Sequence, residues 1–483
     1  MTSRIVCNPL DLAYRYQDIR TPFVGRSVHR EAADPTVVFY RDRYYMFASM
    51  TRGFWHSEDL VEWTLQPSET IPAIDYAPDV REVDGALLFT ASRKTKGRFF
   101  RSVDPLTDDF EEVAPSDIAF WDPDTFQDDD GRLYLYWGCS HNRPVSGVEL
   151  DRTTLQSRGE PVPLISADTA TRGWERTGDD YVPEVRSGLS GKIMDAYIGD
   201  APFIEGAYMN RVGDRYYLQY AGPGTQFNTY ADGCYVGDGP LGPFEYDPHS
   251  PFSSKPGGFI TGAGHGSTFQ DGHGNWWHVA TMRVSVNADF ERRIGLFPAG
   301  FDEDGVLFCN QNFADFPMRV PDGPFDPWNE ASPGWMLLSH RAAAIASSSA
   351  TGHEPALATD ESVRTWWVAG SDRPGSGCNS TSARRPPSTR SRSTSPITSW
   401  HSGRRSAGTS RRRRSAGARS SRTRSRPSSA WNSRSTAMTG RSSTTPSALE
   451  RMPRTHSSCC PRRSVPGTCG SPPLRCRSAA PSR

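Results

Sequence analysis

Over residues 34–281 one alternation of polar and apolar positions recurs five times: an acidic residue or histidine, a short apolar stretch, a polar turn, then a strand dense in aromatics. The copies open at Asp34, Asp79, Asp122, Glu205 and His265. They read DPTVVFYRDRYYMFAS, DVREVDGALLFTAS, DPDTFQDDDGRLYLYWG, EGAYMNRVGDRYYLQYAG and HGSTFQDGHGNWWHVAT. Tyr, Phe, Trp and Val dominate the apolar positions and no helical period competes, so each copy predicts a β-hairpin. The turns RD, DG, DDDG, GD and GHGN supply the Asp, Asn and Gly residues that tolerate positive φ.

Repeats of short strands about 40 to 80 residues apart predict blades around an axis, hence an all-β, five-bladed β-propeller over residues 1–325. The innermost strand of each blade faces the central channel. A polar residue at the same place in every repeat is therefore delivered to one pocket, and here four of those residues are carboxylates and one is His. An acid at a strand start can instead merely cap a turn. Five aligned copies favour the shared pocket.

Three of these phrases, in order, resemble glycoside hydrolase family 43: ADPTVV around Asp34, WDPDTFQDDDGRLYLYWG around Asp122 and IEGAYM around Glu205. The similarity runs from about Asn8 to about Pro321. It implies an inverting mechanism with Asp34 as general base, Glu205 as general acid and Asp122 as the residue that tunes and orients Glu205. The chemistry asks for these residue types in any case. One carboxylic acid must protonate the leaving oxygen while a carboxylate acts on the opposite face of the sugar. Glu205 must then carry its proton near neutral pH, which a nearby ionised Asp122 favours by like-charge repulsion, and Asp34 must stay ionised. His265, in GAGHGSTF, matches the family's axial histidine, which in many relatives helps hold a metal ion or water; the alternative is a hydrogen-bonded buried His among glycines. No cofactor is required, but Ca2+ suits a channel rich in oxygen ligands.

Further pocket candidates come from side-chain chemistry. Asp79, in YAPDV, is assigned to substrate binding at the inner position of the second blade. Phe54 and Trp55 in TRGFWHSEDL and Trp174 in GWERTGDD offer faces for stacking on a sugar ring, against the alternative of packing between blades. Arg292 and Arg293 in FERRIGLFPAG offer forks of donors for sugar hydroxyls, with one of the two expected to point outward.

Charge separates the chain into two parts. The sequence holds 55 basic and 55 acidic residues, but 23 Arg, no Lys and one acid, Glu450, lie from Cys378 onward, leaving 32 basic and 54 acidic residues before it. Residues 326–337, in DGPFDPWNEASPGW, read as a linker. Residues 338–375 then resemble the opening of a discoidin-like carbohydrate-binding β-sandwich, a fold of roughly 130 to 150 residues that here breaks off. Residues 376–483 carry Arg, Ser, Pro, Thr and Ala without periodicity and are expected to be disordered. Reading one base out of frame across 376–384 allows Trp, Leu, Gln, Phe, Asp, Leu, Gly and Ala, as a continued discoidin-like domain would have. The tail is therefore interpreted as frameshifted. Its rival is a genuine basic arm for nucleic acid, suggested by RRRR at 411–414, but the lack of Lys argues against a nucleic-acid partner.

The nine cysteines include Cys7, Cys139, Cys234 and Cys309, far apart and without a metal-type spacing, and are expected as free thiols. No apolar run of about 18 residues predicts a membrane span. The start MTSRIVCNPLDL lacks the apolar core of a secretory leader, so a cytoplasmic location is expected. The partner expected is a plant-type oligosaccharide from which a terminal α-L-arabinofuranosyl or β-D-xylosyl unit is removed, the substrate class that the resemblance implies. The alternatives are a β-galactofuranosidase or a non-catalytic sugar-binding propeller. Sequencing of the gene across residues 376–384 is expected to reveal a frame disagreement; an uninterrupted frame would leave the basic arm as the reading of the tail.

Overall fold

The computed structural model of the protein describes residues 3–381 except 15–16, 22–24, 30, 72–75, 94, 108, 179–187, 190–191, 193–201, 286–290 and 373–374. The expectations for residues 382–483 lie outside the described residues.

Five antiparallel sheets follow one another in chain order. Blade 1 consists of Ala33–Tyr40, Arg43–Ser49, Phe54–Ser57 and Thr64–Gln66. Blade 2 holds Asp79–Val83, Ala86–Thr90, Lys96–Ser102 and Glu111–Ala119. Blade 3 holds Asp124–Gln127, Leu133–Trp137, Val145–Leu150 and Ser157–Ile165. Blade 4 holds Glu205–Val212, Arg215–Gly222, Ala231–Gly237 and Phe244–Tyr246, and blade 5 holds Thr261–Gln270, Trp276–Arg283, Arg292–Phe301 and Leu307–Cys309. The first strand of each blade contacts the first strand of the next, and that of blade 5 contacts that of blade 1, which closes the ring. This is the all-β, five-bladed propeller expected from the repeats.

The hairpin turns take the geometry that their residues allow. Arg41 and Asp42 have φ of 50° and 59°, and Asp84 and Gly85 have 53° and 72°, the doubly left-handed form that matches strand twist. Turn acids also join neighbouring blades: Asp128 of the DDDG turn accepts from Tyr216 Oη at 2.7 Å and Arg211 Nη1 at 2.6 Å.

The aromatic density of the strands has a simple cause: each blade is buried on both faces. Successive side chains alternate between faces. In Arg43–Ser49, Tyr44, Met46 and Ala48 join the core shared with blade 5, while Tyr45 and Phe47 join the core shared with blade 2. Blades 2 and 3 share Leu88, Phe99, Leu133 and Leu135; blades 3 and 4 share Tyr136, Met209 and Leu218; blades 4 and 5 share Tyr217 and Leu307.

This alternation corrects two site assignments. Phe54 and Trp55 are adjacent on the third strand of blade 1 and point to opposite faces, into the blade 2 and blade 5 cores, with 1% and 0% exposure. Neither presents a face to a sugar. The packing alternative is the one realised.

The N-terminal strand Ser3–Val6 pairs with Met318–Pro321, and the Asn8 side chain hydrogen-bonds the backbone of Leu296 and Phe313. The stretch expected as a linker packs on blade 5: Phe325 stacks on Trp277 at 5.3 Å, Trp328 on Phe308 at 3.7 Å, and Ala331 is buried. Among the described residues beyond it, Ala343–Ala346 pairs with Cys378–Thr381 and Pro355–Ala358 forms a 3-10 turn. Those elements form no pair of stacked sheets. No described helix is long and apolar enough to cross a membrane.

Because Trp55 fills the blade 1–blade 5 core, Trp55→Ala is expected to destabilise the protein by about 3–5 kcal/mol in denaturant unfolding. A sugar platform would instead raise KM with stability unchanged.

Candidate active site

Each blade has a main-chain reversal in its first strand or just before it. Asp34, Ala77, Asp122 and His265 have φ of 52°, 47°, 53° and 46°, and Gly206, next to Glu205, has 63°. A left-handed residue with a Cβ costs roughly 1–2 kcal/mol, so it must be held. The backbone N–H of Asp34 donates to Thr281 Oγ1 of blade 5 at 2.7 Å, that of Ala77 to Ser49 Oγ of blade 1 at 2.7 Å, that of Asp122 to Ser92 Oγ, just past the second strand of blade 2, at 2.8 Å, and that of His265 to Asp232 Oδ1 of blade 4 at 2.7 Å. In each case the preceding blade supplies the acceptor. The same hydroxyls donate to the carboxylates: Ser49 to Asp34 Oδ2 at 2.6 Å, Ser92 to Asp122 Oδ1 at 3.2 Å and Thr281 to Asp34 Oδ1 at 3.4 Å. Where the reversal in blade 4 meets His265, only glycine fits, since a Cβ on Gly206 would lie 2.8 Å from the imidazole ring.

This alignment corrects the place of Asp79. Asp34-Pro35, Ala77-Pro78 and Asp122-Pro123 are the matching pairs, so the blade 2 counterpart of the channel carboxylates is Ala77. Asp79 lies two residues further on, one layer deeper, with Thr36 and Asp124. It is buried and accepts from Thr125 N at 2.8 Å and Thr125 Oγ1 at 2.5 Å. Arg81 lies 3.7 Å from Asp79, donates to Asp124 Oδ1 at 2.6 Å and covers the Tyr208 ring at 3.8 Å. Asp124 in turn accepts from Met209 N at 2.8 Å. Asp79 thus belongs to a buried ion cluster joining blades 2, 3 and 4, where burial raises its pKa despite Arg81.

Asp34, Asp122, Glu205 and His265 do come together. His265 Nδ1 lies 3.5 Å from Asp34 Oδ1 and 3.8 Å from Asp122 Oδ2. Burial opposes the charged imidazole, but Asp34, Asp122, Glu205 and Asp232 outweigh it and raise the His265 pKa above its ordinary value. Burial likewise opposes the Asp34 carboxylate, yet Arg292, His265, Ser49 and Thr281 hold its pKa below the usual value. Asp122 has less help: burial pushes it up to about 7, with Glu205 and Asp34 adding repulsion that His265 only partly offsets. This reverses the expectation of a readily ionised Asp122.

Glu205 itself is half-buried at the start of blade 4. Its Oε1 accepts from Tyr230 Oη at 2.5 Å and its Oε2 from Cys139 Sγ at 3.1 Å. Arg292 faces the same channel, with Nε on Glu31 Oε2 at 2.9 Å and Nη1 3.5 Å from Asp34 Oδ1 and 3.3 Å from Thr225 Oγ1. Arg293 turns the other way: it pairs with Glu291 and covers the Tyr14 ring at 4.7 Å. Trp174 is not a channel residue either. Its Nε1 donates to Tyr246 Oη at 3.0 Å and its ring packs on Tyr220.

Sequence reasoning passed over Glu31, Cys139, Tyr230 and the hydroxyls of Ser49, Ser92 and Thr281. The hydroxyls had a signal: MFAS, LFTAS and HVAT end the second strand of three repeats alike. Cys139 and Tyr230 had none, because Cys139 meets Glu205 only across the boundary between blades 3 and 4 and Tyr230 only across blade 4, 25 residues away in the chain.

Asp122, Cys139 and Glu205 offer ligand atoms within 4.8 Å of one another. They do not fit Ca2+, which takes 6–8 oxygen ligands, since one of the three is a thiol. Burial and the two carboxylates raise that thiol's pKa well above its ordinary value. His265 lies between Asp34 and Asp122, which raise its pKa.

A channel to which three blades deliver three carboxylates, with an arginine and a histidine fixing their charge, defines a propeller built for acid–base chemistry. The model of glycosyl hydrolases family 43 matches residues 27–307, more than half of the chain, and the chain belongs to that family. It is similar to a non-reducing end alpha-L-arabinofuranosidase of Bacteroides ovatus, 23% identical over 300 residues that make up 56% of this chain and 50% of that protein. It is also similar to a beta-xylosidase of Xylanibacter ruminicola, 29% identical over 164 residues, 32% of this chain and 45% of that protein. The chain thus spans about half the length of these curated relatives. The crystal structure of a thermostable family-43 glycoside hydrolase aligns with a TM-score of 0.47 at 22% identity, over 58% of this chain and 93% of that one.

A carboxyl whose folded pKa lies above its ordinary 3.8 opposes folding more and more as pH rises from about 4 to about 7, and by a constant amount above that. Asp122→Asn is therefore expected to gain stability over the wild type across that window by a few kcal/mol at most. Denaturation midpoints at pH 3.5 and pH 8 check this, and an equal difference at both would contradict it.

Proposed function

We propose that this chain removes a terminal pentose, an α-L-arabinofuranosyl or β-D-xylosyl unit, from plant-type oligosaccharides by an inverting hydrolysis. The observation that carries the reading is the different treatment of the channel carboxylates: Asp34 is held ionised by Arg292 and His265, while burial pushes Asp122, beside Glu205, up to about 7. Inverting hydrolysis requires an ionised base on one face of the sugar and a proton-bearing acid on the other.

In this reading Glu205 donates its proton to the glycosidic oxygen as the C–O bond to the leaving sugar lengthens. Asp34 takes a proton from a water that attacks the anomeric carbon from the opposite face. Asp34 then releases its proton to solvent and solvent returns one to Glu205, while Asp122 tunes and orients that acid. Arg292 keeps Asp34 ionised beside the sugar, and Thr225 and Glu31, which share that guanidinium, sit where hydroxyls of the terminal residue need partners. The pentose class is supported by family membership and by the activities of the two curated relatives, an arabinofuranosidase and a xylosidase. Inversion follows from the family resemblance.

Incubation with arabino- and xylo-oligosaccharides is expected to release free pentose, choosing the sugar. Glu205→Gln is expected to lose about 10²–10⁴-fold on these unactivated substrates, and NMR of the first-formed product should record the inverted anomer. Absence of pentose release from both classes would refute the reading.

A further inference from the structure

The connection between the second and third strands of blade 3 carries a feature that general acid chemistry does not itself demand. The tripeptide Gly138-Cys139-Ser140 follows the second strand of blade 3. At one end Gly138 N donates to Trp121 O at 2.9 Å, immediately before Asp122. At the other end Ser140 and Ile204 exchange two backbone hydrogen bonds, each 3.1 Å, immediately before Glu205. Cys139 sits between these staples. Its Sγ donates to Glu205 Oε2 at 3.1 Å, engages Asp122 as well, and lies with both carboxylates inside 4.8 Å.

We infer that Cys139 is a positioning residue for Glu205, a neutral S–H bridge that fixes the orientation of the acid and its distance from Asp122; this rests on the glycosidase reading above. With Tyr230 Oη on Oε1 and Cys139 Sγ on Oε2, both oxygens of the carboxyl receive a hydrogen bond and its plane cannot turn. The choice of thiol is chemically apt. An arginine or lysine here would hold Glu205 ionised and weaken it as an acid, whereas a thiol is a weak, neutral donor that orients without adding charge. Burial and the adjacent carboxylates keep it protonated, so it serves as a donor where a metal would need the thiolate.

The test uses the full chain, with Cys139→Ala and Cys139→Ser assayed on an unactivated oligosaccharide and on a dinitrophenyl glycoside, whose leaving group needs no proton. Cys139→Ala is expected to lose about 10–100-fold on the oligosaccharide, part of the 10²–10⁴ available to general acid catalysis, and less than about threefold on the dinitrophenyl substrate. Cys139→Ser, which restores a donor, should recover much of the loss. Equal losses on both substrates, or none on either, would overturn the positioning role while leaving the glycosidase reading intact. A wild-type protein inactive on both substrates would overturn the two together. A second measurement reads the contact without turnover: iodoacetamide labelling of Cys139 at pH 8, followed by mass spectrometry, should be several-fold faster in Glu205→Gln than in wild type, because the substitution removes a carboxylate that suppresses the thiolate. Unchanged labelling would show that the S–H bridge to Glu205 is not made.

Discussion

Everything at the centre of this molecule depends on a backbone N–H captured by the blade before it. In four of the five blades a side-chain-bearing residue in the left-handed region lies in or just before the first strand, and each has its N–H bound by Thr281, Ser49, Ser92 or Asp232. The reversal turns the side chain of that residue into the channel. The hydrogen bond makes the reversal tolerable and joins one blade to its neighbour. Ring closure and site assembly are thus the same interaction seen from two sides, and a strained backbone at a functional site persists because its surroundings over-determine it.

Once gathered, the carboxylates differ through their cationic neighbours. Asp34 lies within reach of both Arg292 and His265, while Asp122 has His265 alone, at 3.8 Å. Two buried acids of one chemical type, on equivalent strands, are thereby pushed in opposite directions. The deeper Asp79–Arg81–Asp124 layer repeats the theme with a different purpose: one guanidinium serves two carboxylates and ties three blades together.

The fold was legible because blades repeat. Each hairpin announces itself by alternation and by turn residues whose φ is constrained, and five copies remove the ambiguity of any one. Asp34, Asp122, Glu205 and His265 were legible for the same reason. Phe54, Trp55 and Trp174 were misread as platforms because an aromatic in a strand buried on both faces has the same sequence signature as one exposed in a pocket. Asp79 was misread by two residues. Alternation places positions 77 and 79 on the same face of the strand, and only the reversal at Ala77 distinguishes the layer that lines the site from the layer beneath it.

The sequence by itself determined the number of blades, the order of strands and, in four blades, the residue that reaches the axis, since these follow from periodicity and turn chemistry, which are local. Tertiary structure alone decided which carboxylate is ionised, which of the adjacent arginines faces the channel, and that Cys139 and Tyr230 hold Glu205 between them. Those outcomes depend on distances between side chains of different strands and blades and on how far each is removed from water. Neither quantity is written in the order of residues along any one strand.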